Sequence, residues 1–266
     1  MNPTLNRGLA PSYITVTEQP GQPASRIQLE MLESRYAWAV DQAREKDVLE
    51  AGCGAGLGLP VLGRVARSVQ AGDVDEENLR AARAASAGYA NVELRAFRAE
   101  RLPFPKESFD LVLLFEAIYY LPDVRRFVEE TQRVLRPGGK LLIVTVNPGW
   151  TGFNPSPFHA RYWSADDLLA ALREADFEAG VQGAFPETAG WTTRPISLVR
   201  RTAVALNLIP RTMRSKALLK RLFYGRLSVL APLVGASSQP PTLEKLEGRG
   251  SLGRYRVLYA TAQKRA

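Results

Sequence analysis

Apolar and polar residues along this chain fall into blocks that switch repeatedly between a two-residue and a 3.6-residue period. Ile27, Leu29, Met31, Leu32, Tyr36 and Ala39 share one face of a helix that Ser25 opens as N-cap and that runs to about residue 44. A short apolar strand at 47–51 follows, then a helix over 59–66 and a second strand over 68–73 that ends in an acid. Asp75, with Glu76 and Glu77 behind it, caps a helix over 76–86, and a third short strand is expected at 92–95. Residues 109–115 form an apolar run interrupted only by Asp110, the signature of a parallel strand covered on both faces. Asp123 caps a helix reaching residue 135; Pro137-Gly138-Gly139-Lys140 is a turn that cannot continue it, and 141–146 is another buried strand. Ser164 caps a helix over 168–175, and strands at 177–185 and 255–262 complete the series. Alternation of this kind predicts an α/β layer fold.

Three stretches stand outside that alternation. Residues 1–23 are rich in Pro, Gly and Thr and read as an extended arm, with Tyr13-Ile14-Thr15-Val16 as the strand-like piece. Residues 147–163 form a loop dense in Pro, Gly and aromatics that leaves the carboxyl end of a strand and should lie over a pocket. Residues 188–252 hold two amphipathic helical patterns, 196–208 and 213–223, and a Ser/Pro link at 237–241.

The stretch that organises the rest is Glu50-Ala51-Gly52-Cys53-Gly54-Ala55-Gly56, where a strand runs into glycines spaced two apart. A tight turn with positive φ needs glycine there, and the missing Cβ atoms let a ligand approach the amides that open the next helix. A dinucleotide fingerprint starting at Gly52 would need glycine at Leu57, and one starting at Gly54 would need it at Leu59. No Lys-Ser/Thr follows, so a triphosphate loop is excluded.

The acid-x-Gly-x-Gly-x-Gly pattern resembles motif I of the class I S-adenosylmethionine-dependent methyltransferases. Further segments match in order: the acid Asp73 ending the second strand, Ala99-Glu100-Arg101-Leu102-Pro103-Phe104, and Arg136-Pro137-Gly138-Gly139 before a strand. The resemblance implies a doubly wound, seven-stranded, mostly parallel sheet with a Rossmann-like order. Its last two strands, 177–185 and 255–262, would be an antiparallel pair, making 24–187 and 253–266 the methyltransferase domain and 188–252 a helical insertion before the last strand. It implies S-adenosylmethionine as cofactor, S-adenosylhomocysteine as product and no metal. The implied cofactor contacts are Arg35 and Tyr36 at the methionine carboxylate; Glu50, Gly52, Cys53, Gly54 and Gly56 at the turn; Asp73 and Val74 at the ribose; and Ala99, Glu100, Phe115 and Glu116 beyond. Arg35 and Tyr36 also read as a solvated helix charge and a core aromatic. Where the family has an acid, this chain has Arg98, and Glu100 stands ready to replace the lost carboxylate.

Composition narrows the classes. The one cysteine, Cys53, excludes an internal disulfide and a cysteine-cluster metal site, and the one histidine, His159, argues against a histidine-based metal centre. No apolar run is long enough to span a bilayer and no signal pattern opens the chain, so a cytoplasmic protein is expected. The net charge of +8 is concentrated: residues 188–252 hold eleven Arg and Lys against two Glu, a net +9, leaving −1 for everything else. That stretch reads as a solvated subdomain, a lid for an anionic substrate or a membrane-surface contact, and its helix-breaking Pro210, Gly225 and Pro232 favour the lid.

The expected chemistry is methyl transfer to an oxygen or nitrogen of a small molecule, anionic or sugar-linked. His159 is the first candidate for the general base, with Glu116, Tyr119 and Tyr120 behind it, although a histidine bonded within an ordered loop accounts for His159 equally. Two other readings are an RNA methyltransferase using the basic insertion and a nucleotide-binding module without turnover. An Asn/Asp-Pro-Pro-aromatic signature after the fourth strand is absent, which disfavours nucleic acid.

Overall fold

The computed structural model describes residues 13–187, 227–234, 239–246 and 253–266. A 3-10 turn, Tyr13–Thr15, is followed by the two-residue strand β1 (Pro23–Ala24) and helix α1 (Arg26–Ala43). Gln28 Oε1 accepts from the backbone of Ser25 at 3.0 Å, which starts α1 where the capping pattern placed it. Then come β2 (Asp47–Ala51), α2 (Leu59–Val65), β3 (Ser68–Asp73), α3 (Glu76–Ser86), β4 (Val92–Ala96) and β5 (Phe109–Phe115). After a 3-10 turn at Ile118–Tyr120 the chain forms α4 (Val124–Val134), β6 (Leu135–Val146), α5 (Ala165–Glu174) and β7 (Phe177–Pro186). The last described elements are β8 (Ser228–Val229), β9 (Glu244–Lys245) and β10 (Tyr255–Lys264).

The main sheet runs β4-β3-β2-β5-β6-β10-β7-β9. Strands β4, β3, β2, β5 and β6 are parallel to one another, while β10 lies antiparallel between β6 and β7. The expected seven strands are present, and β9 adds an eighth at the edge through Gln182 to Lys245 and Gly183 to Glu244. Apolar side chains fill both faces. Leu32, Leu62, Leu79 and Tyr259 lie on one side of the sheet, and Phe127, Leu168, Leu172 and Ile118 on the other, all 1% exposed or less. This is why β5 and β6 read as continuous apolar runs rather than alternating ones.

The order reverses at β2. The chain winds outward through β3 and β4, then returns to the far side of β2 to lay down β5. The carboxyl ends of β2 and β5 therefore flank a switch point, where open α/β sheets hold their ligands.

Two local expectations are corrected. Residues 137–140 do not separate a helix from a new strand: they belong to β6, with Gly138 at φ +75° and a shift of the β5–β6 register between Phe109 and Leu111. The bulge keeps Leu135 paired while the glycine absorbs the kink. Tyr13–Thr15 is a 3-10 turn rather than a strand-like arm, because Val16 and Thr17 donate their amides back to the Tyr13 carbonyl at 2.9 Å. From there to Gly21 the chain crosses the switch point as a strap. Gly21 N donates to Leu230 O, and β1 pairs with β8.

The helices expected at 196–208 and 213–223, and residues 1–12 of the arm, lie outside the described residues. Among the described residues no helix is long and apolar enough to cross a membrane.

Candidate active site

Gly52, Gly54 and Gly56 adopt φ of +70°, +54° and +70°, which explains their type at these positions. Their amides are already bonded within the protein. Gly52 and Cys53 donate to Gly72 O, Gly54 donates to Asp73 Oδ2 at 2.9 Å, and Gly56 donates to Cys53 O. The turn instead supplies a floor in which Gly52 and Gly54 carry no side chain, beside the thiol of Cys53. A Cβ on Gly52 would lie 2.9 Å from Ala117 Cβ, and one on Gly54 2.8 Å from Thr17 Cγ2.

A cavity of about 420 Å³ opens above that floor. Arg35 and Tyr36 reach it from α1, Gly52, Cys53 and Gly54 from the turn, and Asp73 and Val74 from the end of β3. Ala99 and Glu100 come from the segment after β4, and Phe115, Glu116, Tyr119 and Tyr120 from the end of β5. Three expected residues do not line it. Glu50 is buried one layer below, where it accepts from Tyr36 Oη at 2.6 Å. Gly56 serves packing, since a Cβ there would meet the backbone of Ala82 on α3 at 2.8 Å. His159 is exposed outside the cavity, with Nδ1 against Ser156 O and its ring 4.8 Å from that of Tyr162. Its loop docks on the outer side of the tyrosines instead of over the pocket: Tyr120 Oη meets Ser156 Oγ at 3.0 Å, and Tyr119 stacks on Tyr162 at 5.1 Å.

Asp73 is fastened on both oxygens. Oδ2 holds Gly54 N, and Oδ1 holds Asp75 N at 2.9 Å and Asn78 Nδ2 at 3.5 Å. Burial raises its carboxyl, and these hydrogen bonds offset only part of that rise. Asp75 is the helix cap it was read as, accepting from Glu77 N and Asn78 N.

The Ala99-Glu100 segment is positioned by a pair the sequence reading passed over. From α4, Arg133 donates to Leu102 O at 3.0 Å and Phe104 O at 2.8 Å, while Glu130 accepts from Leu102 N at 3.0 Å. The signal was an i, i+3 acid-base pair on a helix whose inner face is apolar apart from Thr131. Glu100 faces the cavity and pairs with Arg98 at 3.4 Å.

The far wall concentrates charge. Glu116 has φ +52°, a left-handed conformation that side chains rarely adopt and that cores hold only where neighbours over-determine it. Its amide donates to Val144 O at 2.8 Å, and Tyr119 Oη donates to its Oε2 at 3.1 Å. Burial raises the Glu116 carboxyl to about 7, against the lowering pull of Arg35 and of the Tyr119 hydrogen bond. Arg35 is 6% exposed and pairs with Glu18 of the strap. Burial alone would weaken its charge, but Glu18, Tyr36 and Glu116 around it hold the guanidinium firmly protonated. Its Nε is buried without a hydrogen-bond partner. The thiol of Cys53, at the cavity floor, is pushed up by burial and then by Glu50 and Asp73, so it stays protonated and inert.

Glu50 also sits at about 7, raised by burial against the Tyr36 hydrogen bond and Arg35. The folded state therefore keeps a proton that the unfolded chain releases above about pH 4.5, so this contribution is full below that pH and is lost as the pH rises through about 7. The shift corresponds to about 3 kcal/mol. Denaturant unfolding at pH 5 and pH 8 should show a fall in stability that is smaller in Glu50→Gln, which keeps the acceptor for Tyr36; equal falls would contradict it.

Comparisons with known proteins were consistent with this geometry. Residues 49–143 match a family model described as a methyltransferase domain. A protein of Mycolicibacterium smegmatis named a probable S-adenosylmethionine-dependent methyltransferase is 36% identical over 177 residues, covering 63% of this chain and 67% of that one. A Mycobacterium tuberculosis protein of like name is 35% identical over 185 residues, covering 66% of each, so the chain spans about two thirds of the length of these relatives. A ubiquinone biosynthesis O-methyltransferase of Sinorhizobium fredii is 38% identical over 101 residues, 38% of this chain and 41% of that one. Among solved structures, YcgJ of Bacillus subtilis superposes with a TM-score of 0.57 at 20% identity, covering 87% of this chain and 98% of that one. An S-adenosylmethionine-dependent methyltransferase of Mesorhizobium loti does so with a TM-score of 0.53 at 18% identity, covering 86% and 98%.

Proposed function

The chain belongs to the class I S-adenosylmethionine-dependent methyltransferases, and we propose that it methylates an oxygen or nitrogen of a small molecule, with Glu116 as general base. The observation that carries this reading is the Glu116 carboxylate at the carboxyl end of β5, in the same cavity as the glycine floor, Asp73 and Arg35.

The residues present fit the cofactor. The cavity volume lies in the range of small-ligand sites, roughly 300–1,000 Å³. Gly52 and Gly54 bring backbone to the cavity surface, and Arg35 Nε is a buried donor awaiting an acceptor such as a carboxylate. Asp73, whose Oδ2 accepts from Gly54 N and keeps a second lone pair, would take a ribose hydroxyl. Ala99 would meet the purine through its backbone and Glu100 through its carboxylate, with Val74 beside the ring. When bound, S-adenosylmethionine supplies a methyl group activated on a sulfonium, whose transfer is an in-line displacement governed largely by alignment.

The chain's own part is to receive a proton and exclude water. A carboxylate near neutral pKa is suited to accept the proton of an acceptor hydroxyl at working pH. Tyr119 steers it by donating to Oε2, and the strap together with Tyr119 and Tyr120 encloses the reacting side. Oxygen is the preferred target, because a protonated hydroxyl needs the base that Glu116 offers; the O-methyltransferase names among the relatives agree with that choice. The basic stretch 188–252 suits an acceptor bearing an anionic or sugar-linked group.

Titration calorimetry with S-adenosylhomocysteine is expected to show one-to-one binding, and labelled S-adenosylmethionine is expected to mark a low-molecular-weight fraction of an extract. Absence of binding would remove the cofactor site; label confined to RNA or protein would remove the small-molecule acceptor.

A further inference from the structure

The strap places a carboxylate on the cation that the cofactor's own carboxylate needs. Glu18 pairs with the guanidinium nitrogen Nη2 of Arg35 inside the cavity, and both residues line it. The strap backbone is pinned on either side of Glu18. Before it, Tyr13 N donates to Asp75 Oδ2 at 2.8 Å; after it, Gln19 Nε2 donates to Asn78 Oδ1 at 2.7 Å and Gly21 N to Leu230 O at 2.9 Å. The Glu18 side chain, in contrast, is 36% exposed against 8% for Arg35, so it has solvent to turn into while the strap stays in place. A second carboxylate, Glu116, lines the same cavity, and Arg35 pulls its carboxyl down. A third from a ligand would crowd the cation unless one left, and Glu18 is the one with an exit.

We infer that Glu18 is an internal competitor for the Arg35 site, a specificity-determining residue that weakens ligands carrying a carboxylate, the S-adenosylhomocysteine product among them. This rests on the reading of the cavity as the cofactor site. A ligand whose binding partner is occupied most of the time binds with an affinity reduced by the unoccupied fraction. For a latch closed nine-tenths of the time or more, removing it tightens binding about 10-fold or more.

The test is calorimetry of the full chain and of Glu18→Gln with two probes. S-adenosylhomocysteine carries the amino-acid carboxylate; 5′-methylthioadenosine keeps the adenosine and the thioether but lacks it. Glu18→Gln is expected to bind S-adenosylhomocysteine about 10-fold more tightly and 5′-methylthioadenosine unchanged. Glu18→Ala should behave alike, and in both variants the ligand-free melting temperature should fall, since Arg35 loses its counter-ion, while S-adenosylhomocysteine raises it by more than in the parent chain. An unchanged ratio of the two affinities overturns the competitor role. Weaker S-adenosylhomocysteine binding overturns it in the other direction, making Glu18 a ligand for the amino-acid ammonium. If the parent chain binds neither probe, the cofactor site fails and the competitor with it.

Discussion

Glu116→Gln should lower the rate of methyl transfer by about 10²–10⁴-fold, the usual worth of a positioned base, while S-adenosylhomocysteine still binds. The variant keeps the size and the hydrogen-bond acceptor of the side chain but cannot take a proton. In the parent chain the rate should rise with pH through about 7, since burial raises the carboxyl to that value and only the deprotonated form is a base. Glu116→Gln should lose this rise. Tyr119→Phe removes a hydrogen bond that favours the charged carboxylate, so its midpoint should move upward. His159→Ala, altered at an exposed residue outside the cavity, should keep the parent profile. Initial rates from pH 5.5 to 9 distinguish these outcomes, and a Glu116→Gln variant with the parent rate and profile would remove Glu116 from the chemistry.

The second large effect belongs to Asp73. Asp73→Ala is expected to weaken S-adenosylhomocysteine binding by about 10–100-fold, because a hydrogen bond to a charged group contributes about 1.5–3 kcal/mol. The same substitution strips the acceptor from Gly54 N and Asp75 N and removes a partner of Asn78, so the melting temperature should fall as well. Asp73→Asn, which retains one acceptor oxygen, should fall between the two in both measurements. Calorimetry that finds the affinity of Asp73→Ala unchanged would show that the ribose lies elsewhere.

Much of the fold was legible because it depends on local rules. Asp75, Asp123 and Ser164 cap helices where small acceptors precede amphipathic runs, and the apolar run at β5 is buried on both faces. The ordered spacing of glycines, Asp73 and Ala99-Glu100 was legible for a similar reason, since each ends or follows a parallel strand at the carboxyl end of the sheet. The path of the strap was not. Residues 13–22 have no periodicity, and what places them is a set of bonds to Asp75, Asn78 and Leu230, far away in sequence. Glu18 therefore went unnoticed, as any acid in a Pro- and Gly-rich stretch would. His159 drew attention for its ring chemistry, but its loop packs behind Tyr119 and Tyr120 through Ser156 and Tyr162, contacts that no residue spacing announces. Glu50, read as a ligand contact, turned inward because Tyr36 offers it a hydroxyl beneath the floor.

The antiparallel strand β10 sets the order in which this sheet can be completed. It lies between β6 and β7, bonded to both, and its partner Pro186 is separated from Tyr255 by the whole of the basic stretch. Closing so long a loop must precede any return from the ladder, which makes this pairing a late and slow event in folding. Until it happens, β6 and β7 each present an open edge, and apolar Leu141, Ile143 and Phe177 stand beside unpaired backbone groups. Such edges are templates for intermolecular pairing. Refolding yield should therefore depend on protein concentration more steeply than the compact final sheet suggests.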